Sequence, residues 1–136
     1  MKIDKKTLEK FPFLIRRAIE TNSRFFEDGT LWDYEPFEAF RKVRKDYSMQ
    51  DFLSYAALGK VPRGANMNSD SYYACSLFTE VTRLRAALKL TPRDCTVVGN
   101  VQAVYGPSRI RESHVDWWLY EGVNVAKSFR VFDCKL

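Results

Sequence analysis

The amino-acid sequence predicts an α+β protein, in which a helical N-terminal half is followed by a central helix packed on a small antiparallel sheet. Apolar residues recur at helical spacing through much of residues 5–58 and again through residues 71–90. After residue 94, runs rich in β-branched and aromatic residues follow one another without an intervening helix, which is typical of an antiparallel sheet. A chain of 136 residues has the length of one domain. Residues 1–66 would be a helical covering segment, and residues 67–136 would form the core.

Two helices are predicted before residue 48. Residues 5–22 carry a helical pattern, but proline fits poorly inside a helix, so this helix begins either near residue 5 or at Pro12. Residues 36–47 form the second helical pattern, in which Pro36 suits the first turn.

Two further helices are predicted, and a loop separates them. The second has the clearest helical pattern in the chain. Ser48 is a predicted N-cap, and the helix that it starts would end at Gly59. Residues 60–68 contain proline, glycine and asparagine, which predicts a loop. Residues 71–90 then carry a single apolar stripe, and Pro92 closes the helix. The stripe consists of Leu77, Val81, Leu84 and Leu88.

Three strands are predicted in the C-terminal part of the chain. They cover residues 95–105, 114–120 and 129–134. A short segment that contains Gly122 joins the second run to the third, so we expect these two strands to form a hairpin. Pairing His114 with Asp133 places the turn beside this glycine.

The composition excludes several classes of protein. Hydrophobic residues make up 46% and charged residues 29% of the chain, which excludes wholesale disorder. No apolar run approaches the ~18 residues of a membrane-spanning helix, and the N-terminus has no signal-like apolar core. The cysteine count of three is odd, without a closely spaced pair, and suits a reducing compartment. We therefore expect a soluble, cytoplasmic protein.

The sequence offers few metal ligands. It contains one histidine, His114, and three scattered cysteines, Cys75, Cys95 and Cys134. Zinc sites usually draw on closely spaced ligand pairs, a pattern that this sequence lacks. We expect no metal and no cofactor, and we expect Cys95 and Cys134 to be core residues.

The candidate catalytic residues are Cys75, His114 and Asp133. Cys75 lies near the start of the helix predicted over residues 71–90, where the helix dipole favours a thiolate. His114 begins a predicted strand, and the hairpin register brings Asp133 opposite it. Asp116 is a rival third member, but it lies along the strand of His114 rather than across from it, so we prefer Asp133. Cys75 and His114 have an alternative interpretation as packing or hydrogen-bonded structural residues.

This order of residues resembles the core of the transglutaminase-like and papain-like cysteine hydrolases. In that family a cysteine at the start of a central helix precedes an antiparallel sheet that carries the histidine and then an aspartate or asparagine. The matching segments are YYACSLFTEVTRLRAAL and HVDWWLYEGVNVAKSFRVFD, and the resemblance covers about residues 69–134. It implies a thiol protease, amidase or acyltransferase that acts on an amide or peptide bond through a thioester and needs no cofactor. We therefore expect a protein or peptide substrate.

The resemblance also implies a role for each candidate. Cys75 would be the nucleophile, His114 the general base and then acid, and Asp133 the residue that orients the imidazole. Papain relatives carry a glutamine at the position of Ser69, so the amide that stabilises the oxyanion is sought nearby. Asn68 is our oxyanion candidate and Asn66 its neighbouring alternative.

A non-catalytic binding protein is the competing interpretation. The chain has 22 basic and 17 acidic residues, a net charge of +5. Single-strand nucleic-acid-binding proteins combine a basic groove with stacking aromatic rings, and both residue types are present. The sequence contains no recognised nucleic-acid-binding signature, and most of the basic residues fall on solvated faces of predicted helices. Nucleic acid is therefore an alternative partner, and a protein inhibitor is a third interpretation. The basic clusters are Arg41–Lys45, Arg83–Lys89 and Arg109 with Arg111.

Overall fold

A six-stranded antiparallel sheet dominates the fold. The computed structural model describes residues 3–26 and 29–134, and the elements given below lie within them. The strands are β1 Phe37–Arg44, β2 Cys75–Phe78, β3 Asp94–Val101, β4 Ser108–Arg111, β5 His114–Trp117 and β6 Phe129–Cys134. The α-helices are short: α1 Lys5–Leu8, α2 Phe13–Thr21, α3 Tyr55–Leu58 and α4 Val81–Ala87. Short 3₁₀ helices cover Met49–Phe52, Asp70–Tyr73, Ala103–Tyr105 and Ala126–Ser128.

The strand order is β4-β5-β2-β1-β3-β6. β1 pairs with β3 along its whole length, from Phe37 opposite Val101 to Arg44 opposite Asp94. In contrast, β1 and β2 pair only where Phe40 lies opposite Phe78. The two halves of the sheet therefore separate between β1 and β2.

The predicted helical N-terminal half is wrong, because residues 36–47 contain β1 rather than a helix. Ala39 and Val43, which are both buried, are four residues apart. That spacing puts two residues on one face of a helix and also on one face of a strand, so the local pattern does not separate the two structures. Pairing with β3, which is far away in the sequence, decides in favour of the strand.

The predicted central helix is also wrong in its first half. Residues 71–90 contain the end of a 3₁₀ helix, then β2, and only then α4. Buried and half-buried residues alternate along β2, which is the period of a strand with one buried face. β2 is held by pairing with β5, from Cys75 opposite Trp117 to Phe78 opposite His114. The stripe of four apolar residues is thus divided between a strand and a short helix.

Other local predictions are confirmed. Pro12 takes the N-cap position of α2, so the chain turns at the proline between two short helices. Ser48 caps the 3₁₀ helix Met49–Phe52. Gly59 ends α3 in the left-handed conformation, at φ 67°. The single helix predicted between Ser48 and Gly59 is wrong, because the backbone is extended at Leu53 and at Ser54, which caps α3. Residues 60–68 form a loop, as expected.

The three predicted C-terminal strands are present as β3, β5 and β6, but the predicted hairpin is wrong. β5 pairs with β2 and β4, whereas β6 pairs with β3 at the opposite edge of the sheet. The connection between β5 and β6 buries Val125 and Ala126 in the main core, so it crosses the sheet instead of turning back. β4, which the sequence did not predict, forms the other edge beside β5.

Two hydrophobic clusters hold these elements. The main cluster lies on one face of the sheet and is built around Leu77, Val97 and Trp117 with Phe52 and Phe129. The second cluster packs α2 against Trp118. Its other aromatic members are Phe11, Phe25 and Phe26.

Cys95 is a core residue, as expected, and Cys134 packs against the main cluster. The two also form a disulfide bond, which we did not expect. They lie directly opposite each other where β3 pairs with β6. This pairing joins residues that are 39 positions apart, so their spacing in the sequence does not reveal it. Cys75 is the free cysteine among the described residues.

In residues 3–26 and 29–134, none of the helices has the length and the apolar character that crossing a membrane requires.

Candidate functional site

Cys75 is a core residue of β2. Its side chain is only 2% exposed and belongs to the main cluster. Burial raises the pKa of the Cys75 thiol, because the thiolate loses its hydration in this apolar environment. The helix dipole that would stabilise a thiolate is missing, since Cys75 lies in a strand and not at a helix start.

Cys75 and His114 lie on opposite faces of the sheet. Cys75 is paired with Trp117, and both side chains point into the main cluster. His114 is paired with Phe78, and side chains at odd and even positions of a strand point to opposite faces. The structure therefore does not bring the thiol and the imidazole together.

Asp133 also lies away from His114, and Asn68 is bonded to a different partner. Asp133 is in the edge strand β6, and β2, β1 and β3 separate this strand from β5. The Asp133 carboxylate accepts a hydrogen bond from Arg85 at 3.0 Å. Asn68 is exposed, and its carbonyl accepts a hydrogen bond from the Asn22 side chain. The three predicted catalytic residues and the predicted oxyanion donor thus do not form one site.

His114 instead contacts Ser76, which is next to Cys75 in the sequence. The Ser76 Oγ lies 2.6 Å from the His114 Nε2. Asp116 is on the same face as His114, and its Oδ1 lies 3.8 Å from the His114 Nδ1. Ser76, His114 and Asp116 therefore form a row, with the imidazole between the hydroxyl and the carboxylate. Asp116, the rival that we rejected, is the carboxylate beside the imidazole.

Asp116 is itself held by two donors. It is 3% exposed, and its Oδ2 accepts hydrogen bonds from the Ser71 hydroxyl at 2.8 Å and from the Arg109 Nη2 at 3.1 Å. Arg109 is also buried and makes a two-bond ion pair with Asp70. The carboxylate beside His114 is thus part of a buried ionic cluster, which comprises Asp70, Ser71, Arg109 and Asp116.

The row of Ser76, His114 and Asp116 lines an open cavity of about 480 Å³. A cavity of this volume is in the range that holds a small molecule. Tyr55, Tyr72 and Phe78 provide aromatic surface. Among the described residues that line the cavity, three are cationic, namely Arg41, Lys42 and Arg63, and one is anionic, Asp116.

The separation of β1 from β2 leaves room for this cavity and for the Arg41 side chain. Strand β2 pairs with β1 only at its last residue, Phe78, so the backbone of residues 75–77 needs other partners on that side. The Arg41 Nη1 donates to the Ser76 carbonyl at 2.5 Å, and the Arg41 Nε donates to the Asp51 carbonyl at 2.7 Å. Arg41 therefore fixes the backbone of the residue that carries the hydroxyl.

The sequence contained a signal for this site that the helical interpretation hid. In the run Cys75, Ser76, Leu77 and Phe78, apolar and polar residues alternate, apart from the last. Interpreted as a strand, the run puts Ser76 on the face away from the core. That Ser76 then lies beside His114 follows only from the pairing of β2 with β5.

The described parts of the chain contain no cluster of three His, Cys, Asp or Glu residues that could hold a metal ion. We found no protein-family model, no characterised protein and no solved structure that matches this chain.

Proposed function

We propose that this protein is a hydrolase or acyltransferase in which Ser76, rather than Cys75, is the nucleophile. The observation that carries the proposal is the 2.6 Å contact between the Ser76 Oγ and the His114 Nε2 in the wall of an open cavity. A hydroxyl within hydrogen-bond reach of an imidazole is the arrangement that activates serine for attack.

The chemistry follows from this row of side chains. The His114 Nε2 takes the Ser76 proton while the Ser76 oxygen attacks an acyl carbon. The imidazolium then gives the proton to the leaving group, which departs and leaves an ester on Ser76. Water or an amine attacks this ester in the second half of the reaction, with His114 again taking the proton. The bond to the Ser76 oxygen then breaks, and His114 returns the proton to this oxygen as the acyl product leaves. The Asp116 carboxylate on the Nδ1 side stabilises the imidazolium that forms in both steps.

The lining of the cavity supports an anionic small-molecule substrate with an aromatic ring. Arginine and lysine bind phosphate and carboxylate groups, and tyrosine faces bind aromatic rings. Arg63 and Tyr55 are exposed at the cavity, whereas Lys42 also lies 3.8 Å from Asp94. A small acyl compound that carries an anionic group, such as a phosphate or a carboxylate, and an aromatic ring fits these features better than the extended peptide that the sequence suggested.

Labelling with a fluorophosphonate probe tests the proposal. We expect the probe to modify Ser76, as peptide mapping by mass spectrometry would show. His114→Gln should slow labelling by ~100-fold or more, because general-base catalysis contributes roughly that much. Ser128→Ala, which removes an exposed hydroxyl, should label like the wild type. An unmodified Ser76, or a labelling rate that is indifferent to His114→Gln, would overturn the proposed nucleophile.

A non-catalytic binding protein is the second candidate. It is favoured by the excess of cationic over anionic residues in the cavity, and by the fact that Asp116 is already bonded to Arg109 and Ser71. Titration calorimetry with inorganic phosphate, AMP and a short single-stranded RNA distinguishes the two functions. Binding that weakens in Arg63→Ala but not in Arg130→Ala, without labelling of Ser76, would identify a binding protein.

The cytoplasmic location predicted from the cysteine count stays a proposal. The unpaired Cys75 fits a reducing compartment, whereas the Cys95–Cys134 disulfide fits an oxidising one. Counting the free thiols of protein isolated from cells under alkylating conditions shows whether the compartment keeps Cys95 and Cys134 reduced or oxidised.

A further inference from the structure

We propose, building on the function proposed above, that Arg109 and Ser71 are positioning residues, which fix Asp116 so that it selects the Nδ1–H tautomer of His114. In this tautomer the Nε2 carries a lone pair and accepts the hydrogen bond from the Ser76 hydroxyl. The site then includes the buried ionic cluster as well as the three side chains in the row. Within this cluster, only Ser71 and Asp116 line the cavity.

The two oxygens of Asp116 have different surroundings. The Oδ2 accepts from the Ser71 hydroxyl at 2.8 Å and from the Arg109 Nη2 at 3.1 Å. The Oδ1 faces the His114 Nδ1 at 3.8 Å, a distance at which the contact is electrostatic rather than a direct hydrogen bond. Asp116 is 3% exposed, so its carboxylate is almost completely removed from solvent.

Arg109 is fixed in turn by partners outside the cavity. Its Nη1 and Nη2 donate to the two carboxylate oxygens of Asp70 at 2.9 and 2.6 Å. Its guanidinium lies 4.9 Å from the centre of the Trp118 ring. Asp70 also accepts from the backbone N–H of Phe26, and its carbonyl accepts from the Trp118 Nε1. A two-bond arginine pair in a buried site has a fixed geometry, so Arg109 presents its Nη2 to Asp116 in one orientation.

This geometry determines which nitrogen of His114 carries the proton. Asp70 and Asp116 both accept hydrogen bonds from the Arg109 guanidinium. The other carboxylate oxygen of Asp116, Oδ1, is negatively charged and faces the His114 Nδ1. An N–H at Nδ1 is attracted to this oxygen, whereas a lone pair at Nδ1 is repelled by it. The tautomer with the Nδ1 proton leaves Nε2 ready to receive the Ser76 proton, which the other tautomer does not.

The tautomer is measurable without any substrate. Because the chain contains one histidine, the imidazole signals in a long-range ¹H–¹⁵N NMR spectrum belong to His114 alone. For the neutral ring, we expect a ¹⁵N chemical shift typical of a protonated nitrogen at Nδ1 and one typical of an unprotonated nitrogen at Nε2. Ser71→Ala removes one donor to Asp116 from a half-buried site and should shift the population toward the Nε2–H tautomer. Asp116→Asn should abolish the preference.

Two controls and one companion variant complete the test. Ser128→Ala and Asp133→Asn change an exposed hydroxyl and an exposed carboxylate elsewhere, and both should keep the wild-type tautomer. Arg109→Lys keeps the charge but loses the two-bond geometry, so it should weaken the preference if the chain folds. A wild-type spectrum dominated by the Nε2–H tautomer, or equal populations in wild type and Asp116→Asn, would overturn the inference. The expected tautomer together with an unlabelled Ser76 would instead reject the proposed function and leave the tautomer assignment standing.

Discussion

Adjacent residues in β2 have opposite chemical environments. The Cys75 side chain is in the main cluster, while the Ser76 hydroxyl faces the cavity and His114. Thiols are intrinsically better nucleophiles than hydroxyls, yet reactivity requires access and an adjacent base. Burial therefore disfavours Cys75, so the nucleophile that we propose is Ser76, although Cys75 has the more reactive functional group.

Native Cys75 should resist alkylation. The side chain is only 2% exposed and its burial raises the pKa of the thiol, so the thiolate is scarce and little of it is accessible to iodoacetamide. At neutral pH we expect labelling of Cys75 to require unfolding, with mass spectrometry comparing the native protein with protein in denaturant. Fast labelling of the native chain that disappears in His114→Ala would contradict the structure and restore the cysteine mechanism.

The pKa of Asp51 also depends on the neighbouring residues. Burial raises its pKa, but hydrogen bonds from Arg44 and from the Ser48 backbone, together with the Arg44 charge, outweigh this and hold the pKa below its ordinary value of 3.8. A lowered pKa in the folded state stabilises the fold above the ordinary carboxyl pKa. This contribution is lost as the pH falls through the lowered value.

Asp51→Asn should therefore reduce stability mainly above pH ~4, the ordinary range of a carboxyl group. We expect the difference in free energy of unfolding between wild type and variant to narrow as the pH is lowered from 7 to 3 in urea titrations. Asp33→Asn, which changes an exposed carboxylate, should show a small difference at every pH. A difference in free energy of unfolding that grows as the pH falls would show that folding raises the pKa of Asp51 instead of lowering it.

The helices of this protein are short, and capping residues and glycines define several of their ends. The 3₁₀ helix Met49–Phe52 begins with a capping box of Ser48 and Asp51, and α3 begins with Ser54, whose side chain accepts from the Ala57 N–H. Gly106 ends the 3₁₀ helix Ala103–Tyr105 at φ 146°, a conformation that is almost exclusive to glycine. This glycine lets the backbone closely approach Trp118, the residue directly after β5.

Gly106→Ala should strongly destabilise the fold. A Cβ at this position would lie 1.9 Å from the Trp118 carbonyl oxygen, which is backbone and has little freedom to move. Overpacking and backbone strain each contribute roughly 1–3 kcal/mol, so we expect a loss of about 3 kcal/mol or more.

Gly122→Ala is the matched control for this variant. Gly122 has φ 80°, but a Cβ there would meet nothing within 4 Å. Only the left-handed conformation is then unfavourable, by roughly 1–2 kcal/mol. Equal losses of unfolding free energy in the two variants would show that the close approach at Trp118 is absent.

For the whole molecule, the strand order determines which distant segments meet. β2 and β5 are adjacent, which joins Ser76 to His114, while β6 lies at the opposite edge with Asp133. The edge strand β6 is tied to β3 by hydrogen bonds and by the Cys95–Cys134 disulfide. This bond closes a long segment that includes β4 and β5, so it restricts the unfolded chain.

Reduction of the disulfide should lower the free energy of unfolding by about 4 kcal/mol, as the chain-entropy relation gives for a separation of 39 residues. Urea unfolding with and without a phosphine reductant measures this difference. The double variant Cys95→Ser with Cys134→Ser should be insensitive to the reductant. Denatured protein should show one thiol without reductant and three with it, and three thiols in both conditions would contradict the bond.

The extent to which the fold could be predicted varies along the chain. The strands at 95–105 and 129–134 were found because β-branched and aromatic residues dominate them. β1 was mistaken for a helix because Ala39 and Val43 satisfy both periods. The candidate site could be predicted in part, because residues two positions apart in a strand, such as His114 and Asp116, share a face. Their partner Ser76 was hidden by the incorrect helix and by the unknown pairing of β2.

By itself, the sequence predicted features that depend on a few neighbouring residues: a helix start at Pro12 as one of two alternatives, the cap at Ser48 and a helix end at Gly59. It also predicted the three C-terminal strands from their β-branched and aromatic residues, but not their partners. Only the tertiary structure decided that β1 and β2 are strands and that β5 lies next to β2 rather than β6. The physical reason is that a strand is completed by hydrogen bonds to a partner far away in the sequence, whereas a cap or turn is completed locally. Because strand pairing also decides which side chains share a face, the same tertiary contacts decided that His114 lies beside Ser76 rather than Cys75.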